Sequence, residues 1–165
     1  YEICVVSAVE DEQGKISSTR ITKCIEQGHM EEANRLLGSP FCMEGKVIHG
    51  KKRGTDMGFP TANVQVSDEY IIPRNGVYAG KIHVGRKSYG CMINIGLNPT
   101  FHDVDAISLE ANIFDFHEDI YGQVVSVDFL KFIRPEKQFR SKSNLVMQLE
   151  QDKRTIQKYF EEGVL

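Results

Sequence analysis

Apolar and polar residues alternate through most of the middle of this chain. Between Val77 and Val84, Tyr78, Ile82 and Val84 fall on one side, Lys81 and His83 on the other. In the next run Tyr89, Cys91, Ile93 and Ile95 share a face. Leu109, Ala111 and Ile113 then oppose Ser108, Glu110 and Asn112, and Val125, Val127 and Phe129 oppose Ser126 and Asp128. Successive side chains of an extended segment point to opposite faces, so a period of two predicts strands with one buried face. Several such runs in succession predict an antiparallel sheet rolled into a small barrel, and hence a mainly β fold.

The two ends follow a different rhythm. Ile3 to Val6 is a short apolar run consistent with a buried strand. Ser17, Ser18 and Thr19 offer an N-cap to a helix that carries Ile21, Cys24 and Ile25 and closes at Gly28. A second short helix carries Ala33, Leu36 and Leu37 and stops at Gly38 and Pro40. Near the C-terminus Leu145, Leu149, Ile156 and Phe160 make one helical stripe, with Ser141 or Ser143 as cap and Gly163 as stop. The strand pattern begins at Glu44. The expected organisation is therefore a helical connector over 1–42, without chemistry of its own, and a barrel with a C-terminal helix over 43–165.

Composition narrows the class. A chain of 165 residues, 41% apolar and 26% charged, has enough material for a core without staples and reads as soluble and globular. A net charge of −3 argues against broad nucleic-acid binding, and the cluster Lys51, Lys52, Arg53 is too small to reverse that. Cys4, Cys24, Cys42 and Cys91 are scattered and form no C-x-x-C pair, so they read as small buried hydrophobes. Their even number leaves a disulfide open. The histidines at 29, 49, 83, 102 and 117 show no ligand spacing, and His83 reads as a surface residue. No segment looks like a signal peptide or an apolar run of ~18 residues, so the expectation is a cytoplasmic protein without membrane contact. The chain starts at Tyr1 without a Met and is expected to be a segment of a longer protein.

The run Gly54-Thr55-Asp56-Met57-Gly58-Phe59-Pro60-Thr61-Ala62-Asn63 carries the densest chemistry. Glycines bracket a polar turn next to the basic residues 51–53. They let backbone N–H groups approach phosphate oxygens, which the basic side chains neutralise. Thr61 and Asn63 offer hard oxygen donors on one face of an extended segment, an arrangement suited to Mg²⁺ shared with phosphates. The same residues also fit a basic surface hairpin turn with local hydrogen bonds to backbone.

The stretch from Gly50-Lys51-Lys52-Arg53-Gly54 to Gly58-Phe59-Pro60-Thr61-Ala62-Asn63 resembles the signature of the riboflavin kinase family. Further matches follow in order: Asn94-Ile95-Gly96-Leu97-Asn98-Pro99-Thr100-Phe101, Leu109-Glu110-Ala111 leading to Asp115-Phe116, Asp119-Ile120-Tyr121-Gly122, and Arg134-Pro135-Glu136-Lys137-Gln138-Phe139. Together they cover roughly residues 43 to 160. The nearest resemblance is to the C-terminal kinase module of bacterial bifunctional riboflavin kinase/FMN adenylyltransferases. Ile16-Ser17-Ser18-Thr19-Arg20-Ile21 is similar to a late motif of the adenylyltransferase domain, with Thr22 where a second basic residue is usual. The histidine motif of that domain is absent, so this chain alone is expected not to make FAD.

The resemblance implies a Greek-key barrel and transfer of the ATP γ-phosphate to the 5′-hydroxyl of riboflavin, giving FMN and ADP, with Mg²⁺ held by Thr61 and Asn63. It implies Glu110 as the base near the attacking hydroxyl. Gly50, Arg53, Gly54, Thr61 and Asn94 fall to the nucleotide, as do Ile113 and Tyr121, for which core packing stands as the other reading. Arg134, Lys137 and Phe139 fall to the flavin, with Arg134 directed at either the ring edge or the product phosphate. Asp56 departs from members that carry a basic residue there. The implied partner is an N-terminal FMN adenylyltransferase domain. The competing class is a non-catalytic flavin-binding or regulatory module of a nucleotidyltransferase.

Overall fold

A computed structural model describes residues 7–50, 57–98 and 106–163. The apolar run at 3–6, Cys4, the basic cluster with Arg53, Gly54 and Asp56, and Pro99, Thr100 and Phe101 lie outside the described residues. The element order is β1 (Glu10–Asp11), β2 (Gly14–Lys15), α1 (Ser18–Gln27), α2 (Met30–Leu37), β3 (Phe41–Ile48), β4 (Ala62–Val66), β5 (Gly76–Val84), β6 (Lys87–Asn98), β7 (Ala106–Ile113), β8 (Val124–Pro135) and α3 (Lys142–Glu161). Strands β3 to β8 form a closed barrel in the order β3-β4-β7-β6-β5-β8, antiparallel throughout. The hairpin-connected run β5-β6-β7 is flanked by β4 beside β7 and by β8 beside β5, which is Greek-key connectivity.

The alternating positions behave as their pattern predicts. Cys91, Ile93, Ile95, Leu109, Ala111, Val125, Val127 and Phe129 all lie inside the barrel, together with Met43, Val47, Val64, Tyr78 and Ile82. Closure leaves the barrel no free edge among its described strands. Met30 of α2 packs on this core from one side and Ile120 joins it from the loop before β8.

The outer face of β5 departs from the simple alternation. Residues 76–80 are buried on both faces, because α3 lies across the outside of the barrel. Val77, Ala79 and Met92 on the barrel wall and Phe59 and Phe114 meet Ile156 and Tyr159 of α3 in a second core. Ser141 caps α3, its hydroxyl accepting from the Asn144 N–H at 3.2 Å. Leu149 and Phe160 pack against the second core. The N-terminal helices end as read, with Gly28 and Gly38 in the left-handed conformation at their C-caps, and Ser17 accepts from Arg20 N at 3.3 Å. Leu37, expected on the apolar side of α2, is instead exposed; Met30, Ala33 and Leu36 form the buried side. The cysteine reading holds for Cys91 only: Cys24 is half-buried and Cys42 exposed, because Cys42 lies on the outer face of β3. All three described cysteines are free thiols. His83 is half-exposed and its Nε2 lies 2.7 Å from Asp128 Oδ2.

Candidate active site

Because Leu109 and Ala111 point into the barrel, Glu110 and Asn112 point outward. Register then decides their neighbours. Glu110 pairs with Asn63 on β4 and with Asn94 on β6, so Asn63, Glu110 and Asn94 form one polar row across three adjacent strands. Cross-strand partners of this kind have neighbouring side chains. The Thr61 hydroxyl donates to Glu110 Oε2 at 3.2 Å, and the Ser108 hydroxyl donates to Oε1 at 3.4 Å. Each carboxylate oxygen thus has a hydroxyl partner.

The chain before Thr61 is held by Asn112, whose side-chain N–H donates to the Pro60 carbonyl at 2.7 Å. Asn112 is only 6% exposed, so this bond is a fixed support for the segment. Gly50 approaches the same region from the end of β3. A Cβ at Gly50 would lie 2.1 Å from Asn63 Nδ2, so the absence of a side chain there is what leaves room for the Asn63 amide.

Two cavities share Thr61, next to this row. The first, about 360 Å³, is lined by Thr61, Ala111, Ile113, Ile120 and Tyr121 among others. Ile113 both packs on the barrel core and lines this cavity. Tyr121 is 43% exposed and stacks on His49 with ring centroids 3.9 Å apart and planes 28° from parallel. The second cavity, about 710 Å³, is lined by Thr61, Asn94, Glu110, Arg134, Lys137 and Phe139, with Leu145 and Leu149 of α3 on its far wall. Thr61 faces both cavities. Asn63 lines a third hollow beside them, with Gln65, Asp68 and Ser108.

The described sequence candidates fall into these places: Glu110, Thr61, Asn63 and Asn94 in or beside the row, Gly50 against Asn63, Ile113 and Tyr121 in the first cavity, and Arg134, Lys137 and Phe139 in the second. Arg53 and Gly54 lie outside the described residues. Sequence reasoning gave no role to His49, Asn112 or Asp152. Asp152 is 2% exposed and sits on α3 between Leu149 and Ile156. A carboxylate inside an apolar helical stripe is the signal that marks it, since buried charge requires a partner.

Comparison with known proteins follows the same lines. A family profile described as Flavokinase: Riboflavin kinase matches residues 37–160. The chain is 44% identical over 160 residues to a bifunctional riboflavin kinase/FMN adenylyltransferase of Listeria monocytogenes, covering 97% of this chain and 51% of that protein. A protein of the same description from Bacillus subtilis is 41% identical over 158 residues, covering 94% and 50%. The chain thus spans about half the length of these curated relatives. Among solved structures, one called a macrolide-efflux protein from Streptococcus pneumoniae superposes with a TM-score of 0.87 at 44% identity, covering 92% of this chain and 50% of that one. A riboflavin kinase from Trypanosoma brucei superposes with a TM-score of 0.56 at 26% identity, covering 75% and 82%. Among the described residues no helix is long and apolar enough to cross a membrane.

Proposed function

We propose that this chain, which belongs to the riboflavin kinase family, phosphorylates riboflavin to FMN, and that it does so where its two cavities share Thr61. In this reading the first cavity takes ATP, with the base near Ile113 and Tyr121, and Gly50, Arg53 and Gly54 serve the phosphates. The second takes riboflavin, its ring between Phe139, Arg134 and Lys137 and its ribityl chain running toward Glu110. The 5′-oxygen forms a bond to the γ-phosphorus, the bond from phosphorus to the β–γ bridging oxygen breaks, and ADP leaves. Glu110 accepts the proton that the hydroxyl gives up. Most of the catalysis in such a transfer is positioning and charge stabilisation, which is why fixed supports such as Asn112 matter.

The hydroxyl of Thr61 and the amide oxygen of Asn63 are neutral, hard donors flanking the Glu110 carboxylate, a set that fits Mg²⁺ with phosphates and water as its other ligands. Bound there, Mg²⁺ would neutralise charge on the β- and γ-phosphates. Residues 1–42 are read as the connector from an FMN adenylyltransferase domain of a longer protein, a reading supported by the names and lengths of the curated relatives.

The observation that carries this reading is the Thr61–Glu110 hydrogen bond at the junction, since Thr61 faces both cavities. The test is flavin separation after incubating the chain with riboflavin, ATP and Mg²⁺. FMN without FAD is expected, and Glu110→Gln should fold normally but turn over roughly 10²–10⁴ times more slowly, the usual worth of a general base. Near-normal turnover in that variant would remove Glu110 from the chemistry. Absence of FMN from folded protein would favour a non-catalytic flavin module.

A further inference from the structure

Arg134 stands at the end of β8 and is one of the residues that line the second cavity. Its charge is already matched. Its Nε lies 3.1 and 2.9 Å from the two Asp152 carboxylate oxygens, and Nη2 lies 2.8 Å from Oδ2. The side chains are 16% and 3% exposed. Gln148, one helical turn before Asp152, donates its side-chain N–H to Oδ1 at 2.9 Å. The Arg134 Nη1 donates to the Pro135 carbonyl at 3.0 Å. Among the described contacts, Arg134 therefore commits three of its five N–H groups and retains two. The guanidinium also lies 5.8 Å from the centroid of Phe139.

We propose that Asp152 is a positioning residue for the flavin cavity: it locks Arg134 as a charge-matched, planar donor that reads the edge of the neutral isoalloxazine ring, not the phosphate of the product. The inference rests on the riboflavin kinase reading of the site. A guanidinium whose charge is cancelled by a buried carboxylate is a poor counter-ion for phosphate. It remains a rigid fork with free N–H groups, suited to ring carbonyls and to stacking against an aromatic face. The carboxylate is supplied by α3, the same helix whose Leu145 and Leu149 line the cavity. The helix thus contributes both the apolar wall and the orientation of the polar contact.

The test uses the whole chain and three flavins: lumiflavin, which has the ring without the ribityl chain, riboflavin and FMN. Binding is followed by flavin fluorescence, with the KM for ATP as control. Arg134→Lys keeps a positive charge beside Asp152 but removes the fork. Asp152→Asn keeps the shape but removes the charge. Each should weaken lumiflavin and riboflavin by a similar factor, about tenfold, and leave the KM for ATP within twofold. If lumiflavin binds as in the wild type while FMN is weakened, Arg134 reads phosphate and the proposal falls. It also falls if Asp152→Asn binds all three flavins normally, or if ATP and flavins are lost together. Should Asp152→Asn fail to fold, Asp152→Glu displaces the carboxylate by one methylene with its charge intact. That variant must lower lumiflavin affinity without changing the KM for ATP, and wild-type affinity in it overturns the proposal. Wild-type chain that makes no FMN would defeat the kinase reading itself; wild-type chain that makes FMN beside unaffected variants would defeat only this inference.

Discussion

Gly50 shows how a single hydrogen atom in place of a side chain shapes the site. A Cβ there would meet both the Nδ2 and the Cγ of Asn63, at 2.1 and 2.4 Å. The backbone of Gly50 is not the obstacle to substitution; the Asn63 amide is, and it can only rotate away. Gly50→Ala should therefore leave the denaturant midpoint close to wild type while displacing a proposed metal ligand. Misplacement of about 1 Å near the reacting centre can cost on the order of 10²-fold in rate. The expected outcome is a loss of that order in kcat/KM for Mg·ATP with riboflavin binding retained. Full activity in a folded Gly50→Ala would show that the position of Asn63 is irrelevant.

At the scale of elements, the N-terminal helices are fastened to the barrel and are not a loose tether. Met30 is 1% exposed and belongs to the barrel core. Asn34 of α2 bridges two strands: its side-chain N–H donates to the Phe129 carbonyl at 2.8 Å, and its Oδ1 accepts from the Phe41 N–H at 2.7 Å. The Arg74 N–H reaches the Ile25 carbonyl at 3.3 Å, and the Arg74 guanidinium lies 4.9 Å from the Phe132 ring centroid. The β1–β2 hairpin joins through charge, with Asp11 between Arg20 and Arg35, and Glu32 completing the group. Hydrogen bonds to both arginines hold the Asp11 carboxyl well below the usual range, so this link persists through mildly acidic pH. Asn34→Ala removes both barrel bonds and leaves the partners to find water. The expected cost is about 1–3 kcal/mol, read as a lower urea midpoint with unchanged slope. An unaltered midpoint would mean that apolar contact alone fixes α2.

For the molecule as a whole, closure buries weak acids that are stable only when neutral. Burial raises the Cys91 thiol and the Tyr78 hydroxyl, both inside the barrel, well above their ordinary values. For such groups the unfolded chain loses its proton first. Their contribution is full below the unfolded values, near 8.5 for a thiol, and declines as pH rises toward the folded ones. Stability should thus fall steadily from about pH 9 to 11 and beyond, seen as a declining urea midpoint. A midpoint that is flat over that range would contradict the assignment.

The sequence determined much of this by simple geometry. Alternation in β6, β7 and β8 named the inward residues, because a strand with one buried face must place apolar side chains at every second position. Gly28 and Gly38 marked helix ends, and the groups Ser17-Ser18-Thr19 and Ser141 or Ser143 offered caps, because the orphan backbone groups there need such residues; packing selected Ser17 and Ser141. The ordered motifs named Thr61, Asn63 and Glu110 individually. Tertiary structure decided what these residues touch. The row Asn63–Glu110–Asn94 exists only because β4 and β6 flank β7, a neighbour relation set by Greek-key crossovers that no local pattern encodes. The burial of Val77 and Ala79 on the outer face of β5, the exposure of Cys42, and the pairing of Asp152 with Arg134 all depend on where α3 and the barrel wall lie. Packing of distant elements sets the surroundings of a side chain, whereas its periodicity reports only its own segment.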